Sequence, residues 1–165
     1  MISRVNRKTK DARTPASSRT TESEIPIEDY ICLALYTASR AVTGVYRDLL
    51  AEADLTYPQY LVMRLLWQRG TLPVKDIAAT LSLDYGTLSP LLKRLQARGL
   101  IRRERRSDDE RSVDISLTDS GDALRAKADR VPTELTCALA LDPPAIDELR
   151  STLRRLTDAV TAATA

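Results

Sequence analysis

The chain contains no histidine and no phenylalanine, a single tryptophan (Trp67), five glycines and two cysteines in 165 residues. Without histidine there is no Ser–His or Cys–His catalytic pair and no imidazole ligand for a metal. Cys32 and Cys137 stand 105 positions apart, far from the spacing of a structural zinc site. The sequence therefore implies neither a metal nor a cofactor. No apolar run is long enough to span a bilayer, and no apolar segment near the start serves as a secretion signal. The expected compartment is the reducing cytoplasm, where an oxidised cysteine is an event rather than a permanent staple. With phenylalanine absent, aliphatic residues must fill the core, and one domain of this length can hold one.

A net charge of +2 is too small to imply a nucleic-acid partner. Its distribution says more. From Lys93 to Arg111 there are eight basic residues against four acids, a local excess of four positive charges in 19 residues. A focused patch of this kind attracts phosphates.

Residues 1–24 are polar, hydroxyl-rich and basic without apolar periodicity, and read as a disordered tail. The rest, 25–165, reads as a single domain. Ile27, Ile31, Leu35, Ala38, Val42, Val45 and Leu49 draw one stripe and predict a long helix from about Ile27 to Glu52. Tyr57-Pro58 opens a second helix that ends at Gly70, with Tyr60, Leu61, Leu65 and Leu66 on its buried side. Pro73 to Leu81 forms a third. Asp84 is the expected N-cap of a fourth, which stops at Gly99 and should be bent in its first turns by Pro90. Leu100–Arg106 and Arg111–Leu117 predict two strands joined by the polar tip Ser107-Asp108-Asp109-Glu110. Thr118 caps a further helix, interrupted at Pro132 and continuing past Cys137. Asp142-Pro143 starts the last, whose stripe is Leu149, Leu153, Leu156 and Val160.

Helix, turn, helix and basic hairpin is the order of a winged helix-turn-helix. The predicted fold is mainly α (α+β): a winged helix over about 57–117, flanked by long N- and C-terminal helices, about 27–52 and 118–163. One compact core cannot use all these stripes, so the flanking helices should form a dimerisation region with a second copy. In such a fold the second helix enters the major groove. Thr87 and Ser89, short and polar near its start, suit base edges, and Lys93 and Arg94 suit phosphates. Arg105 and Arg106 would track the backbone, and Arg111, beside the tip, suits the narrow minor groove.

Two segments carry a family resemblance. Tyr85-Gly86-Thr87-Leu88-Ser89-Pro90-Leu91-Leu92-Lys93-Arg94-Leu95, the wing Asp108-Asp109-Glu110-Arg111-Ser112-Val113 and Ser116-Leu117-Thr118 resemble the MarR family of dimeric repressors. The run Cys32-Leu33-Ala34-Leu35-Tyr36, with Leu55-Thr56-Tyr57-Pro58-Gln59-Tyr60, resembles its OhrR branch, the organic-hydroperoxide sensors, over roughly residues 27–160. The resemblance implies that Cys32 is the peroxide-reactive thiol and that Tyr46 and Tyr57 hold its thiolate, with Tyr36 on the same helix beside it. It also implies that Cys137 captures oxidised Cys32 as an intersubunit disulfide, and that Asp109 and Arg111 are the wing residues at DNA. The implied partners are a second copy of the chain, an inverted-repeat operator in double-stranded DNA, and an organic hydroperoxide as signal.

Cys32 and Tyr46 are 14 residues apart, about 21 Å along a helix axis at ~1.5 Å per residue. Within one straight helix they cannot touch, so a Tyr46–thiol contact needs an antiparallel partner helix. Only a thiolate attacks peroxide, so the site must favour the anion. Two other readings stay open on sequence: a repressor released by a small aromatic ligand, and a thiol peroxidase enzyme. The absence of a Cys-x-x-Cys pair and the presence of a DNA module weigh against the enzyme.

Overall fold

The computed structural model describes residues 25–105 and 112–164. The predicted tail (1–24) and the wing tip, with Arg106, Asp109 and Arg111, lie outside the described residues. Of the described residues, 25–37 belong to one compact unit and those from Ala38 onward to a second.

In the first unit a 3-10 turn, Ile27–Asp29, is followed by Tyr30 in an extended conformation (φ −71°, ψ 121°). Helix α1 therefore begins at Ile31, and it runs to Leu49. The helix predicted over Ile27–Glu52 is too long at both ends. Its stripe enters a 3-10 turn at one end, and a second turn, Ala51–Ala53, follows at the other. The i→i+3 bonding of such turns mimics helical spacing for a few residues.

In the second unit α2 (Tyr57–Arg69) starts where predicted, with Pro58 in its first turn. Gln59 Oε1 accepts the Thr56 N–H at 2.9 Å and the Thr56 hydroxyl at 3.1 Å, which closes the entry to the helix. Helices α3 (Val74–Leu81) and α4 (Tyr85–Ala97) and strand β3 (Val113–Leu117) all pack on α2. Its buried face is correspondingly wide: Val62, Met63 and Trp67 join Tyr60, Leu65 and Leu66, while the predicted Leu61 is only half-buried.

Helix α4 is continuous through Pro90. Burial of Leu88, Leu91, Leu92 and Leu95 outweighs the one backbone bond that Pro90 removes. Gly99, at φ 67°, ends the helix. Strand β2 (Ile101–Arg105) pairs antiparallel with β3, Arg103 opposite Ile115 and Arg105 opposite Val113. A two-residue strand that the sequence did not predict, β1 (Leu72–Pro73), pairs with the other edge of β3, giving the order β1-β3-β2. Proline is tolerated there because β1 is an edge.

Past β3 the Thr118 hydroxyl accepts the Gly121 N–H at 3.0 Å and donates to the Gly99 carbonyl at 2.5 Å. The predicted helix from Thr118 is three short ones: α5 (Asp119–Ala123), α6 (Arg125–Ala128) and α7 (Val131–Leu139). The breaks fall before Pro132, not at it. Pro132 sits in the first turn of α7, where a missing N–H leaves no intrahelical bond unmade. Asp142 Oδ1 accepts the Ala145 N–H at 3.0 Å and opens α8 (Pro143–Thr164) as expected. Leu149, Leu153, Leu156 and Val160 all lie exposed along α8. Among the described residues no helix is long and apolar enough to cross a membrane.

Candidate functional site

Cys32 is the second residue of α1, and it is exposed with a free thiol. Because α1 starts four residues later than its stripe, the sulfur belongs to the first helical turn. In that turn the Leu33 and Ala34 N–H groups donate to the Tyr30 carbonyl at 3.0 and 3.2 Å, and a helix start favours negative charge. Tyr36, one turn further on, is 57% exposed. In the second unit Cys137 is also exposed and free, near the end of α7.

The fold brings Tyr46, near the end of α1, to Tyr57, the first residue of α2. Their rings lie 4.3 Å apart, tilted by 31°. Tyr60, expected only as a core residue, lies 5.8 Å from Tyr46, and Trp67 lies 6.3 Å from Tyr60. The Trp67 indole N–H donates to the Gly121 carbonyl at 2.9 Å. Burial, with the neighbouring Tyr57 and Tyr60 phenols, pushes Tyr46 up to about 12. Burial also raises Tyr57 and Tyr60. All three phenols are therefore protonated at neutral pH, which makes them hydrogen-bond donors suited to an anion.

At the start of α4, Asp84 Oδ1 accepts the Thr87 N–H and Oδ2 accepts the Thr87 hydroxyl, each at 2.8 Å. The hydroxyl and amide of Thr87 hold the Asp84 carboxyl below its ordinary range. Thr87 thus completes the Asp84 cap; its one hydroxyl proton is committed, so that hydroxyl can only accept a further hydrogen bond. Ser89 is half-buried and lines a cleft of about 280 Å³ with Lys75, Tyr85, Arg103 and Ser112. Lys93 and Arg94 are exposed on α4, and Arg105 is exposed at the end of β2. Tyr85 is already part of the recognition-helix motif, whereas Lys75 belongs neither to the wing charges nor to the helix stripe.

A sequence profile described as the MarR family matches residues 55–113. Over 106 residues the chain is 51% identical to the HTH-type transcriptional regulator TtmR of Methylorubrum extorquens, a match to 64% of this chain and 54% of that protein. The match thus spans about half the length of TtmR. Over 106 residues it is 49% identical to the organic hydroperoxide resistance transcriptional regulator of Bacillus subtilis, covering 64% and 72% of the two chains. Among solved structures, reduced AbfR bound to DNA superposes with a TM-score of 0.69 at 29% identity, covering 81% of this chain and 92% of that one. AbfR comes from Staphylococcus epidermidis.

Proposed function

The chain belongs to the MarR family of transcriptional regulators, and on that premise we propose that it is a homodimeric repressor that senses organic hydroperoxides through Cys32. It binds an inverted-repeat operator in cytoplasmic double-stranded DNA and leaves it on oxidation. The observation that carries this reading is the pairing of Tyr46 with Tyr57. Two half-buried phenols, held protonated and side by side, form a donor pair for a thiolate. In the proposed dimer that thiolate is Cys32 of the antiparallel partner helix. The exposed stripe of α8 supports the dimer, since four large apolar side chains along one helix gain most by covering one another.

The Cys32 thiolate attacks the distal oxygen of ROOH, the O–O bond breaks, and RO⁻ leaves and takes a proton as ROH. Cys32 is now a sulfenic acid. The Cys137 thiol of the partner subunit attacks that sulfur, the S–S bond forms, and the hydroxyl leaves as water. The peroxide gains two electrons and the two thiols lose them. Disulfide formation demands Cα atoms within ~7 Å; if the reduced dimer holds the two cysteines farther apart, closing the bond drags helices, and the two copies of α4 lose their match to half-sites ~34–36 Å apart. Thr87, Ser89, Lys93, Arg94, Arg105, Arg106, Asp109 and Arg111 are the proposed DNA contacts.

Fluorescence anisotropy with a labelled duplex selected for binding tests the reading. One equivalent of an alkyl hydroperoxide per subunit should release the duplex, and a dithiol should restore binding. An anisotropy unmoved by hydroperoxide overturns it.

A further inference from the structure

Cys137 and the recognition helix α4 are far apart in sequence, and the 3-10 turn Ala51–Ala53 lies between the elements that carry them. Helix α7 buries only Val131, fully. Its N-terminal end is therefore anchored, while Cys137, about 9 Å further along the axis at ~1.5 Å per residue, is exposed. Arg130, at the N-cap of α7, donates from Nη2 to Glu52 Oε1 at 2.6 Å, and its Nε stands 3.5 Å from Glu134 Oε1 on α7 itself. One guanidinium thus ties the helix of Cys137 to the turn.

The turn is rooted in the core by Leu50 and Ala53, which are 0% and 3% exposed, and the chain leaves it through Asp54 at φ 50°. On its other side stands Arg98, the C-cap of α4. Arg98 Nη1 donates to the Asp54 carbonyl, Nη2 stands 3.4 Å from the Ala53 carbonyl, and Nη2 pairs with the Asp54 carboxylate at 3.2 Å. Two arginines grip adjacent residues of one turn, Arg130 holding Glu52 from the helix of Cys137 and Arg98 holding Ala53 and Asp54 from the end of α4.

We propose that Arg130–Glu52 and Arg98–Asp54 form a clasp that delivers movement of α7 to the recognition helix, with Arg130 and Arg98 as positioning residues. The clasp rests on the redox reading above and adds the route by which oxidation reaches DNA. A single exposed ion pair is weak because solvent screens it. Here the turn is part of the packed core, Arg98 makes three contacts to it, and Arg130 is shared by two carboxylates. Displacing the turn therefore shifts both grips together. Coupling between sites needs only a modest difference in contacts between two states.

The test uses full-length Arg130→Glu, Glu52→Arg and the double swap. In each, operator affinity is measured reduced and after hydroperoxide treatment, with the Cys32–Cys137 disulfide followed on non-reducing gels. The clasp predicts that each single variant forms the disulfide and binds DNA when reduced. Its release factor falls at least fivefold, and the swap restores it. Unchanged release in the single variants, or a swap that fails to restore it, overturns the clasp. A wild type that ignores hydroperoxide overturns the sensing reading instead, and amide exchange then judges the clasp alone. Arg130→Glu should speed exchange at Arg98–Leu100 and the swap should reverse this; unchanged protection there overturns it.

Discussion

Tyr46 and Tyr57 stack at 4.3 Å although eleven positions and a turn of 3-10 helix separate them. Tyr46→Phe keeps the ring and removes the donor. Its reaction with hydroperoxide at neutral pH should slow about tenfold, the worth of one hydrogen bond to a charged group, as read by stopped-flow thiol loss. The same phenol fixes an alkaline limit. Its folded-state value, about 12, lies above the unfolded 10, so its stabilisation is complete below pH 10 and is lost as pH rises through about 12. Unfolding midpoints between pH 9 and 12 should fall less steeply in Tyr46→Phe than in wild type.

Gly121 is held against the strand that begins the wing. A Cβ there would meet the Leu100 carbonyl oxygen at 2.0 Å, and that oxygen also accepts the Thr118 N–H at 3.1 Å. Neither partner is a flexible side-chain end. Gly121→Ala should destabilise by about 3 kcal/mol or more, measured by urea unfolding of the reduced protein.

Ser89 and Arg94 separate two kinds of DNA contact. Ser89 lines the cleft between α4 and the wing, whereas Arg94 is exposed further along the helix. Arg94→Ala should weaken binding across all duplexes and lower the salt slope by about 1, whereas Ser89→Ala should relax discrimination at one base pair and leave the slope alone. Salt titrations on matched and mismatched duplexes distinguish the two.

Much of this arrangement is legible in the sequence. Tyr57-Pro58, Asp84, Gly99 and Asp142-Pro143 mark element ends through local backbone chemistry, and the structure places ends there. The overlong first helix, the two-residue strand Leu72–Pro73 and the breaks at Leu124 and Arg130 are not legible. They depend on partners far along the chain. The Trp67–Gly121 bond spans 54 positions and the Arg130–Glu52 pair spans 78. No local pattern announces either. The aromatic pair is legible only through family resemblance, and Tyr60, a tyrosine in an apolar stripe, reads as core rather than as a neighbour of Tyr46.

The stripe on α8 makes a prediction about assembly. Leu153 is 39% exposed, between Leu149 at 46% and Leu156 at 37%. Leu153→Asp places a carboxylate where apolar surfaces should meet, and burying it there is unfavourable. Sedimentation velocity should show wild type as a dimer and Leu153→Asp shifted toward monomer.

The most direct measurement compares wild type with Cys32→Ser on one operator duplex, reduced and then treated with an alkyl hydroperoxide. Both proteins should bind equally well when reduced; only wild type should let go, and a dithiol should bring it back. Release of Cys32→Ser at the wild-type hydroperoxide dose would contradict the account.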